Sequence, residues 1–421
     1  MADGEDIAGL FDNLESEEPS PDKVHRPRHS FVFESFSHDY VKEQDKVMVN
    51  NNNNFEYTVD PQDESKLLKM TKEEQEADER RGMPLDYHRQ LSCCTTRHWV
   101  DHFHAHYRIV NVSKQNLLWM KTAAVRAKVC AGLSATYVDD LEECARKADC
   151  GGAFDLCNPE SAETGYFVRT DRVSLKDGMH GVGPYFSLKQ ILESAVTARG
   201  GHQGVSDQTQ QLKFYLFPWL PHLDGFREFR VFVCHKRVTA MSQQSLYRVN
   251  PILEAVADLD PCPDAASSLH PTKKLANHYQ SKILSNWCNL LVPYIEEVVV
   301  PRIRGEEGDR RDEAEAPLQC GLESFILDIV LLGPSACTDA STAKRIIDAH
   351  EKGDVSDSKQ MPDLFAPELL TPHFIEINPF GYNQSSGSSL FSWTHEYSTL
   401  YGLQNGAGSG SRLIPVRFTR S

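Results

Sequence analysis

The stretch HFIEINPFG, His373 to Gly381, combines an apolar strand with an acid and an amide, and then stops at a Pro-Phe-Gly turn. Side chains alternate across a strand, so the spacing predicts Phe374, Glu376 and Asn378 on one face and Ile375 and Ile377 on the other. One face is suited to a core and the other to a polar ligand. A second stretch, SFILDIVLL at 324–332, has the same character, with Ile326, Asp328 and Val330 on one face opposite Phe325, Leu327 and Ile329. Laid antiparallel beside the first, it sets Asp328 across from Glu376 and Asn378.

Three oxygen ligands on neighbouring strands suit Mg²⁺, which takes a few protein oxygens and completes its octahedron with water and phosphate. A lone acid on a strand is more often a solvated edge position, but apolar flanks on both strands favour a metal here. A magnesium site calls for phosphate contacts. YFVRTDRVSLKD supplies Arg169, Asp171, Arg172, Lys176 and Asp177 just after a predicted strand, and REFRVF puts Glu228, Arg230 and Phe232 on one strand face. Arginine forks and a flexible lysine match polyphosphate oxygens, although each of these charges alone fits solvated surface equally well. The glycines of GMHGVG, 178–183, match neither the dinucleotide nor the Walker spacing.

The rest of the chain limits what such a site can serve. At 421 residues there is room for one large α/β domain with extensions, or for two or three domains. A net charge of −16 argues against a nucleic-acid partner, which needs clustered Lys and Arg. No apolar run approaches the ~20 residues of a membrane span, and MADGEDIAGL has neither the basic flank nor the apolar centre of a targeting peptide. Eleven cysteines, an odd number in a long chain, point to reduced thiols and a cytoplasmic protein. Residues 1–90 are acidic and partly low-complexity and are expected to be a largely disordered extension, with one short amphipathic contact at Phe31 and Phe33. Residues 404–421 are expected to form a tail. Between them, 91–403 reads as one domain with low-complexity insertions near 305–316 and 337–363.

Within that domain, helical spacing predicts helices over 137–152, over 186–201 with Ser187 as cap, and over 277–301 with Tyr279, Ile283, Trp287, Leu291 and Tyr294 as the buried stripe. Strands are predicted at 165–170, 213–220, 227–234, 237–243, 324–332 and 373–380, with a hairpin turning near His235 and Lys236. The fold class is α+β, with mixed and antiparallel sheets and flanking helices. In HWVDHFHAHYRIV, His102, His104 and His106 would share a strand face, and with Cys93 or Cys94 they suggest a zinc site; a partly exposed strand or helix end is the simpler account.

In order, GYFVRTDRVSLKDG, REFRVFV followed by MSQ, FILDIV, and FIEINPFG ending in LFSW resemble the cell division cycle protein 123 family over roughly Tyr137 to Tyr401. The resemblance implies an ATP-grasp-like fold and an assembly chaperone for eukaryotic translation initiation factor 2. Such a protein acts through the gamma subunit and so promotes translation initiation and cell division. It implies ATP and Mg²⁺ as cofactors; the protein is expected to be a monomer with no membrane or nucleic-acid partner. Arg169 stands where the family usually has a phosphate-binding lysine, and Lys176 at a second basic position of that motif, which also holds Asp171, Arg172 and Asp177. Leu216, Phe217, Pro218 and Trp219 match the hinge strand whose backbone meets adenine, although Pro218 lacks an N–H. Arg230 matches the arginine of the E-F-R block. Asp328, Glu376 and Asn378 match the magnesium ligands, with Glu376 where an aspartate is common.

The sequence departs from the family at Gln244, where an arginine is usual, and in the longer loop 382–389. The alternative function is an ATP-grasp ligase that joins a carboxylate to an amine through an acyl phosphate. Such ligases commonly begin with an α/β domain that shapes the acceptor site. The acidic N-terminal stretch here does not resemble one, which favours the chaperone. A scaffold without nucleotide is disfavoured because all three metal ligands are present.

Overall fold

The computed structural model describes residues 29–42, 87–130, 165–199, 202–207, 209–221, 225–257, 273–304, 321–333, 369–381, 389–391, 396–403 and 412–421, with single positions 133, 137, 139, 140, 223 and 393. Two sheets organise it. The larger has seven strands: β1 (His29–Ser37), β5 (Glu228–Cys234), β6 (Arg237–Gln243), β7 (Lys273–Leu275), β8 (Phe325–Leu332), β9 (Thr371–Asn378) and β10 (Arg412–Arg420), in the order β7-β1-β10-β6-β5-β8-β9. The smaller is antiparallel, with β4 (Leu212–Pro218) between β2 (Arg108–Val112) and β3 (Tyr166–Arg169). The α+β class and the six strands expected from alternation are present. The β5–β6 turn lies at His235 and Lys236, whose φ values of 47° and 68° give it the left-handed backbone of a tight hairpin.

Two segments expected to lie outside the domain are strands of its main sheet. β1 pairs in parallel with β10 along its whole length, from His29 opposite Arg412 to Ser37 opposite Arg420, and β7 pairs on its other side. Phe33 of β1, and Ile414, Val416 and Phe418 of β10, enter the main core. The acidic composition of residues 1–90 and the brevity of the last segment conceal two nine-residue strands with apolar faces. The insertions at 305–316 and 337–363, loop 382–388, and nearly all of the helix expected over 137–152 lie outside the described residues.

Helices pack on both sheets. Leu188–Thr197 is capped by Ser187, which accepts from the Gln190 amide, and it buries Leu188, Ile191, Leu192 and Ala195 against the smaller sheet. His278–Tyr294 begins with a capping box between Asn277 and Gln280 and buries Ile283, Trp287 and Leu291 against the larger sheet. It continues as a π-helical turn, Ile295–Val299, where Glu296 accepts from the Val238 amide at 2.8 Å and from Arg237 at 3.1 Å. A short helix, Thr96–Phe103, sets Trp99 and Val100 into the core between the sheets.

The β8–β9 pairing follows the expected register at the decisive point, with Asp328 opposite Glu376. One residue is displaced: a bulge at Ile375 places Phe374 opposite Ile329, so Phe374 lies in the apolar core and not on the face of Glu376. The strict alternation read from the sequence fails there because the extra residue reverses the facing of everything before it.

Candidate nucleotide and metal site

Each side chain of the site is placed by strand register. Arg230 on β5 stands opposite Asp328 on β8, and Asp328 stands opposite Glu376 on β9. Arg230 Nε and Nη2 donate to Asp328 Oδ1 and Oδ2 at 2.9 and 2.7 Å, a two-pronged contact between buried groups. Arg169 comes from the smaller sheet, at the end of β3. Its Nη1 lies 2.7 Å from Glu376 Oε2, its guanidinium sits 4.9 Å over the Trp99 ring, and its Nε is buried without a hydrogen-bond partner. This ion pair joins the edge strand β9 of one sheet to the edge strand β3 of the other.

Glu228 lies two residues before Arg230 on the same face. Burial and the neighbouring Asp328 push its carboxyl up to about 8 against the pull of Arg230, so it is protonated at neutral pH. Burial also resists ionisation of Glu376, but Arg169, Arg230 and Lys176 outweigh it and hold that carboxyl at about 2. At Asp328, burial raises the pKa against the opposing pull of Arg230. Three carboxyls thus share a low-dielectric site in which a proton on Glu228 limits the negative charge, and a divalent cation would relieve the same crowding.

Among the described residues no three His, Cys, Asp or Glu side chains form a metal-binding group by themselves. A metal at Asp328 and Glu376 would need a third protein ligand from an amide, and Asn378 follows on the same strand as Glu376. Its Nδ2 is buried without a hydrogen-bond partner. Two carboxylates and an amide oxygen, all hard donors and too few to complete a shell, fit Mg²⁺ with water and phosphate in the remaining positions.

The structure brings Arg169, Lys176, Arg230, Asp328 and Glu376 into one electrostatic cluster and leaves other expected residues outside it. Asp171 belongs to the turn after β3, where its carboxylate accepts from the Tyr215 hydroxyl at 2.8 Å and its carbonyl from the Thr96 amide at 2.7 Å. Arg172 is exposed on that same turn, built on the Thr170 hydroxyl. Lys176 and Asp177 are exposed on the following loop.

On the hinge strand, Leu216 is buried in the core beneath the smaller sheet and Phe217 in the main core. Pro218 is exposed, and the Trp219 amide donates to the Gly165 carbonyl at 3.1 Å. The ladder with β2 ends at Leu216, whereas that with β3 continues through Phe217 and Pro218. Gly183, at φ 112°, comes so close that a side chain there would meet the Trp219 ring at 3.3 Å. Gln244 ties its amide to the Glu228 carbonyl at 3.0 Å and leaves its buried Oε1 without a partner.

The three histidines do not share a strand face. His102 belongs to the helix Thr96–Phe103, His104 caps that helix, and β2 begins only at Arg108. The His104 ring lies 4.8 Å from Phe217 and 5.4 Å from His373, and burial, with His373 and Arg169, depresses it to about 3, so it stays neutral. Cys93 and Cys94 are buried in the main core and not in a disulfide. Sequence reasoning left Trp99 and His202 out of the site. Neither has a local signal, since each reaches it only through folding.

No family model and no curated protein matches the sequence. No helix among the described residues is long and apolar enough to cross a membrane. The chain is similar to the solved structure of C-terminally truncated Cdc123 from Schizosaccharomyces pombe, at 12% identity and a TM-score of 0.37, over 79% of this chain and 97% of that one. It is likewise similar to the structure of Cdc123 from the same organism, at 11% identity and a TM-score of 0.38, over 78% and 96% of the two chains.

Proposed function

We propose that this protein is an ATP- and magnesium-binding assembly chaperone of the cell division cycle protein 123 type, serving eukaryotic translation initiation factor 2 through its gamma subunit. The observation that carries the nucleotide part is the pair of arginine–carboxylate contacts, Arg169 with Glu376 between the edges of the two sheets and Arg230 with Asp328 across neighbouring strands of the larger one. Each partner has a better one in magnesium-bound ATP, because phosphate oxygens suit the arginine forks and the cation suits the carboxylates. Lys176 is exposed and acts on Glu376 as a third cation. Bound Mg²⁺ supplies charge neutralisation between the phosphates and the two strands. The protein's own residues orient the polyphosphate and fix β3 against β9. The chaperone part rests on the order and identity of the sequence blocks, and in it the nucleotide organises a partner surface.

Asn378→Ala is the cleanest test. Its amide nitrogen makes no internal hydrogen bond that the substitution would remove, whereas Asp328→Ala strands the buried Arg230. Calorimetric titration of ATP into the wild type, with and without Mg²⁺, is expected to show magnesium-dependent binding. Asn378→Ala should lose most of that dependence with little change in unliganded stability, and should capture the gamma subunit poorly. Equal, magnesium-dependent binding in both proteins refutes the metal assignment. Normal capture without nucleotide separates ATP from function, and turnover of ATP on an added carboxylate and amine moves the assignment to the ligase.

A further inference from the structure

His202 lies just beyond the helix Leu188–Thr197, and its amide donates to the Arg199 carbonyl at 3.2 Å. The side chain is about one-third exposed and is not tied down by a hydrogen bond. Its Nδ1 is buried without a hydrogen-bond partner, and its Nε2 stands 3.9 Å from Asp177 Oδ2, beyond hydrogen-bond length. His180, which serves the fold, looks different: its Nε2 is 2.5 Å from Glu193 and its amide donates to the Ser194 hydroxyl at 3.1 Å.

The groups that bear on His202 electrostatically are Lys176, Asp177, Glu376 and Arg169, brought from the 170s loop, from β9 and from β3. Burial and Lys176 hold the imidazole below its ordinary pKa against Asp177 and Glu376, so at neutral pH it carries one N–H to donate. A neutral donor with no internal hydrogen bond, set among two cations and the carboxylate proposed to hold magnesium, is suited to an anionic oxygen.

We propose that His202 donates a hydrogen bond to the polyphosphate of the bound nucleotide and completes, with Arg169 and Lys176, a clamp whose three members come from separate segments. This assignment rests on the nucleotide-binding function proposed above and adds to it a residue that no sequence block contains.

The test is ATP and AMP titration into the wild type, His202→Phe and His202→Gln in the presence of Mg²⁺. Phenylalanine keeps the ring and removes both nitrogens, whereas glutamine retains a donor. Loss of one hydrogen bond to a charged phosphate is expected to weaken ATP binding about tenfold in His202→Phe. AMP binding and the unliganded melting temperature should stay at the wild-type level, and His202→Gln should recover part of the loss. Should His202→Phe not fold, His202→Ala takes its place with the same expected loss. Wild-type ATP affinity in the nitrogen-free variant, or an equal loss for ATP and AMP, overturns the assignment while leaving the nucleotide site standing. Absence of ATP binding in the wild type overturns both.

Discussion

Arg417 and Arg169 are both buried arginines facing glutamate across strands, and they are finished to different degrees. Arg417 donates from Nε to Glu34 at 2.8 Å, from Nη1 to the Leu390 carbonyl at 2.7 Å and to Glu396 at 2.5 Å, and from Nη2 to Glu396 again. Its guanidinium also lies 4.0 Å over the Phe391 ring. All three of its nitrogens are engaged, and the group binds β1, β10 and the segment around Leu390 together. Around Arg169 the arrangement is open: its Nε, Asn378 Nδ2 and His202 Nδ1 are buried without hydrogen-bond partners, and Glu228 keeps a proton at neutral pH. Unsatisfied buried polar atoms are costly, and under the function proposed above a bound polyphosphate would complete the arginine that the fold leaves open.

The contrast breaks most visibly on the structural side. Deleting residues 1–42 removes β1, its pairing with β10 and the Glu34 partner of Arg417, and should abolish cooperative thermal unfolding. A truncated protein that melts with the full-length transition would make β1 dispensable. Arg417→Leu is the next largest effect. It leaves Glu34 and Glu396 without their buried cation and should cost about 3–5 kcal/mol in urea unfolding, while ATP affinity of the folded protein stays unchanged. A loss of nucleotide binding equal to the loss of stability would show that the two clusters are not independent.

A pH series sharpens the open side. The Glu228 carboxyl rises from an ordinary 4.5 to about 8 on folding, so the native state holds the proton more tightly than the unfolded state does. Wild-type stability should therefore decline between those two pH values, and Glu228→Gln should remove that decline. Melting temperatures across the range are expected to diverge in favour of the variant and then run parallel above pH 8. Curves that stay parallel throughout would mean that Glu228 ionises freely.

Local alternation made the β8–β9 pair legible, and with it the opposition of Asp328 and Glu376, because the period of two runs unbroken from Glu376 to Asn378 on the side that pairs with Ile326 to Asp328. Phe374 was misplaced because no local residue announces a bulge at Ile375. Averaged composition obscured β1, whose HSFVFESFS is an amphipathic strand inside an acidic stretch. Arg169 and Lys176 were visible as charges after a strand. That Asp171 would turn toward Tyr215 and Arg172 toward solvent was not, since both depend on the turn made by the Thr170 hydroxyl. His202 and Trp99 lie far in the chain from the groups they meet, and only tertiary folding brings them together.

The parallel clasp of β1 and β10 also sets an order of events during synthesis. β10 lies between β1 and β6, so β7 and β1 join the rest of the sheet only through a strand made after every other one. A chain emerging from the ribosome can zip β5, β6, β8 and β9 as it appears, but its first strand has to wait, with Phe33 and Phe36 uncovered, for residues 412–420. Contacts spanning that much sequence are slow to close, and this protein therefore completes its central sheet late, when β10 reaches β1. During that interval it depends on being kept from pairing its waiting edge with another chain.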